Sequence, residues 1–352
     1  MKIRLAVDGD KAVWDAFVSE REEATPYHRF AWREAVEKAY GHQGCYLMAE
    51  DDNRIIGVLP LVVMRFPMFY KKVVSIPFCD LGGALAIRED VAQHLYDEAI
   101  VIAKRMGAGS LEFRCRVENA ALQRSGLLYE VRTDKASMIL PLPGSASVLW
   151  GGFKSKLRSQ VRKAEKNNLF FIWGEKKDRA DFYSVFSKNM RELGSPVHAK
   201  GWIDTVLDSF GPQARMGLVY YDKVAVGAGI ILCQGRKVSI PWASTLREFN
   251  NFSPNMLLYW NFLQFAADAG YMVFDFGRST RGEGTYKFKA QWGAEPQTLY
   301  WYDLHMSRCH AKKKSRVARP GESKQRLAAI WSMLPLPLAN FFGPYFRRHI
   351  SL

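Results

Sequence analysis

The sequence predicts an α+β fold of two tandem halves, each a mixed β-sheet flanked by helices, and three observations carry that expectation. Helical and strand-like periodicities follow one another in the same order across residues 1–144 and 145–306. Two local patterns recur between the halves. Leu47 to Gly57 and Leu218 to Gly227 both read as strand, acidic turn and apolar strand with a glycine. Likewise, Leu95-Tyr96 and Leu258-Tyr259 each lead through a helix to a glycine, Gly107 or Gly270, and then to an apolar strand. Finally, 352 residues with 48% hydrophobic content are ample for two cores.

Residues 1–7 read as a strand, and Asp10 to Arg21 as a helix with Val13, Trp14, Phe17 and Val18 on one side. Thr25-Pro26 breaks it, and a second helix is expected from Phe30 to Tyr40. A hairpin follows: Cys45 to Ala49, a turn at Asp51–Asn53, then Ile55 to Met64. Val73 to Ile76 is a strand, leading into a loop, Pro77 to Gly83, that holds Asp80. A helix from Glu89 to Met106, a strand at Leu111–Arg114 and a strand from Val131 to Leu140 close the half before a linker at Pro141–Gly144.

The second half opens with a basic helix over 154–168 and a strand, Leu169–Trp173. Helices at Asp178–Leu193 and Trp202–Phe210 precede strands at 216–221, 224–232 and 237–242. Ser253 is expected to cap a helix that begins at Pro254 and runs to Ala269. Strand 272–276, a charged glycine-rich stretch and strand 297–304 complete it, and residues 307–352 form a tail.

A formal net charge of +15 favours polyanionic partners such as nucleic acid, phosphorylated ligands or anionic lipid. The five cysteines are scattered without CxxC spacing, and the seven histidines form no HExxH pair. Neither a disulfide framework nor a metal site is expected, and a reducing cytosol fits. The N-terminus lacks the apolar run of a signal peptide, and no stretch approaches the roughly 20 apolar residues of a membrane span.

Chemistry concentrates between Tyr271 and Gly293. An apolar strand runs into Asp275, Arg278 and Arg281 among glycines 277, 282 and 284, then Tyr286, Lys287, Phe288, Lys289 and Trp292. Charged groups and permissive backbone at a buried strand's carboxyl end suit a site, although a surface loop reads the same way. Asp275, Glu283 and Asp80 are the acid–base candidates, with Asp80 also grouped among substrate-binding residues; Arg278, Lys287 and Lys289 are candidates for phosphate or oxyanion. Tyr286 and Phe288 fit either stacking on a substrate or core packing. The first half has Arg114-Cys-Arg116-Val-Glu-Asn at the corresponding place, without the glycines. In the basic helix, Arg158 and Arg162 share a face beside Lys154, Lys156, Lys163 and Lys166, which suits a phosphate-rich ligand. The tail joins a basic run, Lys312 to Arg319, to apolar and aromatic residues from Leu327 to Phe346. It suits either packing against the first half or interfacial anchoring on anionic lipid.

The basic helix from Ser155 to Ala164, Phe274-Asp-Phe-Gly-Arg278, and Gly284-Thr-Tyr-Lys-Phe-Lys-Ala-Gln-Trp-Gly293 together resemble the FemAB-like branch of the GNAT acyltransferases. The last of these matches an F-K-x-x-[FW]-G signature. Thr25-Pro-Tyr27 with Trp32, and Gly82-Gly83, fit as well. The resemblance covers residues 1–306, and the Leu334–Pro344 tail is similar to members found with exosortase (PEP-CTERM) and exopolysaccharide systems.

That resemblance implies two tandem GNAT-like domains, 1–144 and 145–306, the second carrying the transfer site. It implies transfer of an acyl or aminoacyl group to an amine, with acyl-CoA or aminoacyl-tRNA as donor co-substrate and no tightly bound cofactor. By the same likeness Lys289 lies at the transfer site with Phe288 beside it. A departure is that Arg247-Glu-Phe-Asn-Asn-Phe-Ser-Pro254 stands where the usual Q/R-x-x-G-x-G/A acetyl-CoA signature would be.

The expectation is therefore a cytoplasmic enzyme of cell-envelope or exopolysaccharide assembly, peripheral at the inner face of the membrane, forming an amide on an amine acceptor that is itself lipid-linked. Asp275 or Glu283 would take the amine's proton, and Arg158, Arg162 and Arg278 would hold phosphates. The alternatives are a non-catalytic membrane-surface binding module and a tRNA binder resting on charge alone.

Overall fold

The computed structural model describes residues 1–66, 70–123, 126–306 and 320–352. Cys309 and the basic run Lys312–Arg319 lie outside the described residues. The chain forms two compact units. The first comprises Met1–Ala136, the described part of 297–320 and His349–Leu352; the second comprises Ser137–Pro296 and the described part of 321–348.

The first unit begins with β1 (Lys2–Leu5), α1 (Lys11–Ser19) and α2 (Phe30–Tyr40). Strands β2 (Gln43–Gly44), β3 (Leu47–Asp51), β4 (Arg54–Leu59), β5 (Val62–Arg65), β6 (Lys71–Val74) and β7 (Leu85–Ala86) follow. Then come α3 (Glu89–Arg105), β8 (Ser110–Cys115), a single turn α4 (Ala120–Gln123) and β9 (Leu128–Arg132). α3 packs Val91, Leu95, Tyr96 and Ala99 at helical spacing against the apolar faces of these strands.

The second unit holds β10 (Lys135–Pro141), α5 (Ala146–Gly152), α6 (Ser155–Lys166), β11 (Leu169–Gly174), α7 (Arg179–Glu192) and α8 (Lys200–Phe210). Next are β12 (Ala214–Tyr221), β13 (Val224–Gln234), β14 (Lys237–Thr245), α9 (Pro254–Asp268), β15 (Val273–Thr280) and α10 (Gly284–Ala290). β16 (Glu295–Thr298) and β17 (Tyr300–His305) precede the tail helices α11 (Pro320–Met333) and α12 (Leu336–Arg347).

The recurring patterns fold alike. Hairpin β3–β4 bulges between Ala49 and Glu50, and hairpin β12–β13 bulges between Val219 and Tyr220. The residues just before the bulges face Gly57 and Gly227 respectively. In each unit a helix then links two parallel strands that pair over three residues: β6 with β8 from Lys72↔Ser110, and β14 with β15 from Lys237↔Val273.

The expected boundary at 144/145 falls elsewhere, because each half lends the other a strand. The segment expected as one strand, Val131–Leu140, divides into β9 and β10, and β10 lies beside β15 in the second unit's sheet, β11-β12-β13-β14-β15-β10-β16. β17, expected to close the second half, instead pairs with β8 and β9 in the first unit. Period-2 alternation shows that a strand exists but not which sheet takes it.

In the second unit α9 crosses the sheet closely because β12 and β13 present glycines beneath it. Gly217 pairs with Gly229, and a Cβ at either would stand 2.5 or 2.7 Å from the Phe262 ring. That explains the run of small residues in β13.

The tail helices pack on the second unit, so of the two alternatives read from the sequence the one of packing on the first half does not describe them. Arg191 donates to the Leu334 carbonyl at 3.3 Å, and Asn340 to Ser187 Oγ at 3.4 Å. The final residues return to the first unit, where Phe78 N–H donates to the Ser351 carbonyl.

Candidate functional site

The second unit's sheet opens between its two parallel strands. β14 and β15 pair at Lys237↔Val273, Val238↔Phe274 and Ser239↔Asp275, and then no longer pair with each other. β14 continues to Thr245 along β13, while β15 continues to Thr280. Main-chain groups at such a divergence can hydrogen-bond an extended amide-bearing ligand as an added strand would.

Two sequence candidates meet at the start of that opening. Asp275 is buried, and its Oδ1 accepts from Ser137 Oγ at 2.6 Å and from Gly277 N–H at 2.8 Å. Lys289 is also buried, and its Nζ donates to the carbonyls of Gly277 at 3.0 Å and Arg278 at 2.8 Å. Gly277 has φ of +70°, a conformation open to glycine and strained for side-chain-bearing residues. Its N–H and its C=O are thus each held by a charged side chain.

Lys289 reaches this position because α10 is anchored by aromatic packing. Phe288 meets Tyr259 edge-on with centroids 5.0 Å apart, Trp292 meets Phe153 at 5.4 Å, and Tyr259 stacks on Phe276 at 5.6 Å. Phe288 and Tyr286 are both partly buried and pack against the core. Glu283 is exposed at the N-cap position of α10. Arg278 is half-buried, and its carbonyl is one of the two that Lys289 holds.

The arginines of α6 have structural work as well. Arg158 donates to the carbonyls of Trp150 at 3.3 Å and Gly151 at 3.1 Å, covering the C-terminal end of α5. The Arg162 guanidinium lies 5.6 Å over the Trp150 ring. The exposed basic face is formed by Lys154, Lys156, Lys163 and Lys166, while Leu157, Val161 and Ala164 are buried.

Ser253 occupies the N-cap of α9 as expected, but with φ of +64° and no side-chain cap. The turn before it does not offer a glycine cradle of the kind that grips a CoA pyrophosphate. Phe249, Ser253 and Met256 spend their N–H groups on the carbonyls of Leu246, Asn250 and Ser253, and Pro254 has none. Phe249 and Phe252 instead pack against Tyr221. Those three N–H groups are thus already used within the turn, and no glycine lies between 247 and 254.

Asp80 lies in the other unit, in a loop of strained backbone. Ile76 and Phe78 have φ of +63° and +67°, and the loop's carbonyls are held by Arg114, Trp32 and Trp301. The Asp80 carbonyl accepts from Trp301 Nε1 at 3.1 Å. Near that loop is a cavity of about 160 Å³ lined in part by Thr25, His28, Gly83, Tyr96 and Arg114. There His28 accepts at Nδ1 from the Thr25 N–H at 3.2 Å, and its Nε2 lies 3.1 Å from the Gly83 carbonyl. Among the described residues no three His, Cys, Asp or Glu side chains converge as a metal site.

Two site residues escape sequence reasoning. Ser137 is separated from Asp275 by more than a hundred residues and carries no motif. Ser279, on the diverging end of β15, is 3% exposed and its hydroxyl has no partner among the described residues; such a group next to an opening suits contact with a ligand. Its only sequence signal is its place in the Asp275, Gly277, Ser279 alternation.

Residues 151–290 match the family model described as acetyltransferase (GNAT) domain. No curated protein sequence matches the chain. Among solved structures, the chain is similar to the crystal structure of FemX, with a TM-score of 0.72 at 15% identity over 91% of this chain and 100% of that one. It is similar to the C-terminal domain of a putative lysylphosphatidylglycerol synthetase from Agrobacterium fabrum, with a TM-score of 0.58 at 11% identity over 87% and 95%. A tandem GNAT protein from the clavulanic acid biosynthesis pathway aligns with a TM-score of 0.54 at 12% identity over 87% and 98%. The shared feature is the fold, two tandem GNAT-like domains of mixed sheets flanked by helices.

Proposed function

Starting from that fold, we propose that the protein is an acyl- or aminoacyltransferase that forms an amide bond on an amine acceptor. The observation that carries this reading is the parting of β14 and β15 after Ser239 and Asp275, with Lys289 and Asp275 clamping Gly277 at its mouth. In this reading the amine attacks the carbonyl carbon of a thioester or ester, the C–N bond forms, and the C–S or C–O bond breaks. The amine's proton passes to a carboxylate, and the leaving thiol or hydroxyl is protonated in turn.

The exposure of Glu283 supports it as proton acceptor over Asp275, whose Oδ1 already accepts two hydrogen bonds. Lys289 places positive charge where an oxyanion or leaving group would develop. Tyr286 and Phe288 would border the substrate from α10. Arg278 and the basic face of α6, with Arg158 and Arg162, support a donor rich in phosphate. Donors of that kind are acyl-CoA and aminoacyl-tRNA. The turn at 247–254, which lacks a glycine cradle, favours the second.

The FemX and lysylphosphatidylglycerol synthetase likenesses support a setting in cell-envelope assembly. The tail's resemblance to exosortase-associated members supports exopolysaccharide systems. We place the protein in the cytoplasm, peripheral at the inner face of the membrane, with a lipid-linked acceptor. No helix among the described residues is long and apolar enough to cross a membrane.

The test is mass spectrometry of ligands copurifying with the protein, followed by assays of amide formation with labelled acyl-CoA and aminoacyl-tRNA donors. Product with either donor that is lost in Lys289→Met supports the reading. A folded protein that transfers from neither donor overturns it in favour of a non-catalytic membrane-surface module.

A further inference from the structure

We propose that the helical hairpin α11–α12 is a docking surface for the headgroup region of an anionic phospholipid bilayer. The inference deepens the peripheral placement proposed above and rests on it for its setting, while its argument comes from the hairpin alone.

The two helices are turned inside out relative to an ordinary surface helix, which buries its large apolar residues and exposes polar ones. α12 docks through its small residues. Ala339 is buried, and Gly343 is so close to the second unit that a Cβ there would stand 3.0 Å from Val197. α11 docks similarly, with the Ala328 carbonyl against Gly194. The large side chains face outward. Phe341 is 75% exposed, Tyr345 60% and Met333 82%, with Phe342, Leu327 and Ile330 also exposed. Spacings of three and four residues place them in one stripe on each helix.

Charge selects the occupant. The hairpin holds one carboxylate in sequence, Glu322, against Lys324, Arg326, Arg347 and Arg348. Arg326 and Arg348 lie near the exposed apolar residues in sequence, while Arg347 donates to His198. An anionic headgroup layer complements that pattern, and aromatic rings are well accommodated at such an interface. A second copy docked by two-fold symmetry would bring the same cation-rich surface against itself, with little opposite charge to neutralise it. α12 has 12 residues, about 18 Å at a helical rise, so it suits lying in the interface plane.

The experiment is cosedimentation of the full-length protein with vesicles of phosphatidylcholine alone and vesicles containing about a quarter phosphatidylglycerol. Wild type is expected to partition onto the anionic vesicles, and added salt to weaken it. The Phe341→Ser, Phe342→Ser, Tyr345→Ser triple variant should lose partitioning by about tenfold or more. Arg326→Gln with Arg348→Gln should lose it on anionic vesicles selectively. An unchanged melting temperature shows that the exposed substitutions leave the fold intact. Wild type that stays in solution with both vesicles overturns the proposal, as does self-association that the triple variant abolishes. Transfer to a soluble amine acceptor separates the two readings. Its retention in a triple variant that no longer binds vesicles leaves both standing, and its absence in wild type that does bind overturns only the transferase.

Discussion

Lys289 and Asp275 hold opposite sides of a single residue. The lysine ammonium donates to the Gly277 carbonyl at 3.0 Å, and the aspartate accepts from the Gly277 N–H at 2.8 Å. The left-handed turn at the edge of the opening is therefore fixed from two elements, α10 and β15. Lys289→Met removes the donor from two part-buried carbonyls and is expected to cost about 1–3 kcal/mol of stability. It should also lower kcat/KM by about a hundredfold or more, if the charge stabilises the transition state. Urea unfolding and steady-state rates with the identified donor measure the two effects. Rates equal to wild type would remove Lys289 from the mechanism.

The glycines beneath α9 make a second prediction. Gly229→Ala forces a Cβ to within 2.7 Å of Phe262, a ring buried in the core with little room to shift. Overpacking of this kind is expected to cost about 1–3 kcal/mol. Gly217→Ala meets the same ring at 2.5 Å, so the two effects should be non-additive in a double-mutant cycle. Independent, additive costs would contradict the shared contact.

A third concerns the first unit. Glu112 is buried beside the Arg114 guanidinium at 2.6 Å and the Lys72 ammonium at 2.6 Å. Burial opposes its charge, but the facing cations prevail and hold the carboxyl well below its usual range. Glu112→Gln leaves the buried Arg114 guanidinium without its carboxylate, while Lys72 keeps Asp303 at 3.3 Å, with an expected loss of about 3–5 kcal/mol. Because the folded-state pKa is depressed, the stabilisation is present above the unfolded value of about 4.3 and is lost as pH falls below it. Denaturant midpoints from pH 3 to 7 read this out, with the Gln variant showing a flatter profile.

The fourth is a pH effect at the tail. Arg347 on α12 donates through Nε to Nε2 of His198 at 3.0 Å, which requires a neutral imidazole. Burial first, and the arginine second, push the His198 pKa well below its ordinary value. The unfolded chain therefore binds the extra proton first, and stability should decline as pH falls below about 6.5. His198→Asn should remove that part of the decline in melting-temperature profiles. A wild-type profile identical to the variant's would show that His198 does not couple to folding.

Local chemistry was legible from the chain alone wherever neighbours in sequence are neighbours in space. Helix α2 begins and ends where its periodicity says, and Pro254 opens α9. Both hairpins follow their acidic turns, and the duplicated order of elements survives down to matching bulges. Helix α10 was not legible in this way, because Gly284 to Gly293 reads as part of a charged, glycine-rich stretch.

Long-range assignments belonged to the tertiary structure. β10 and β17 are exchanged between the halves, and strand pattern carries no information on which sheet completes its ladder. Arg158 reads as a phosphate ligand by charge, yet its guanidinium meets the carbonyls that end α5, an arrangement set by how two adjacent helices pack. The tail's apolar residues look like core in a sequence, where hydrophobicity has no direction. Only the docking of Ala339 and Gly343 turns Phe341 and Tyr345 outward, since the smallest side chains allow the closest approach.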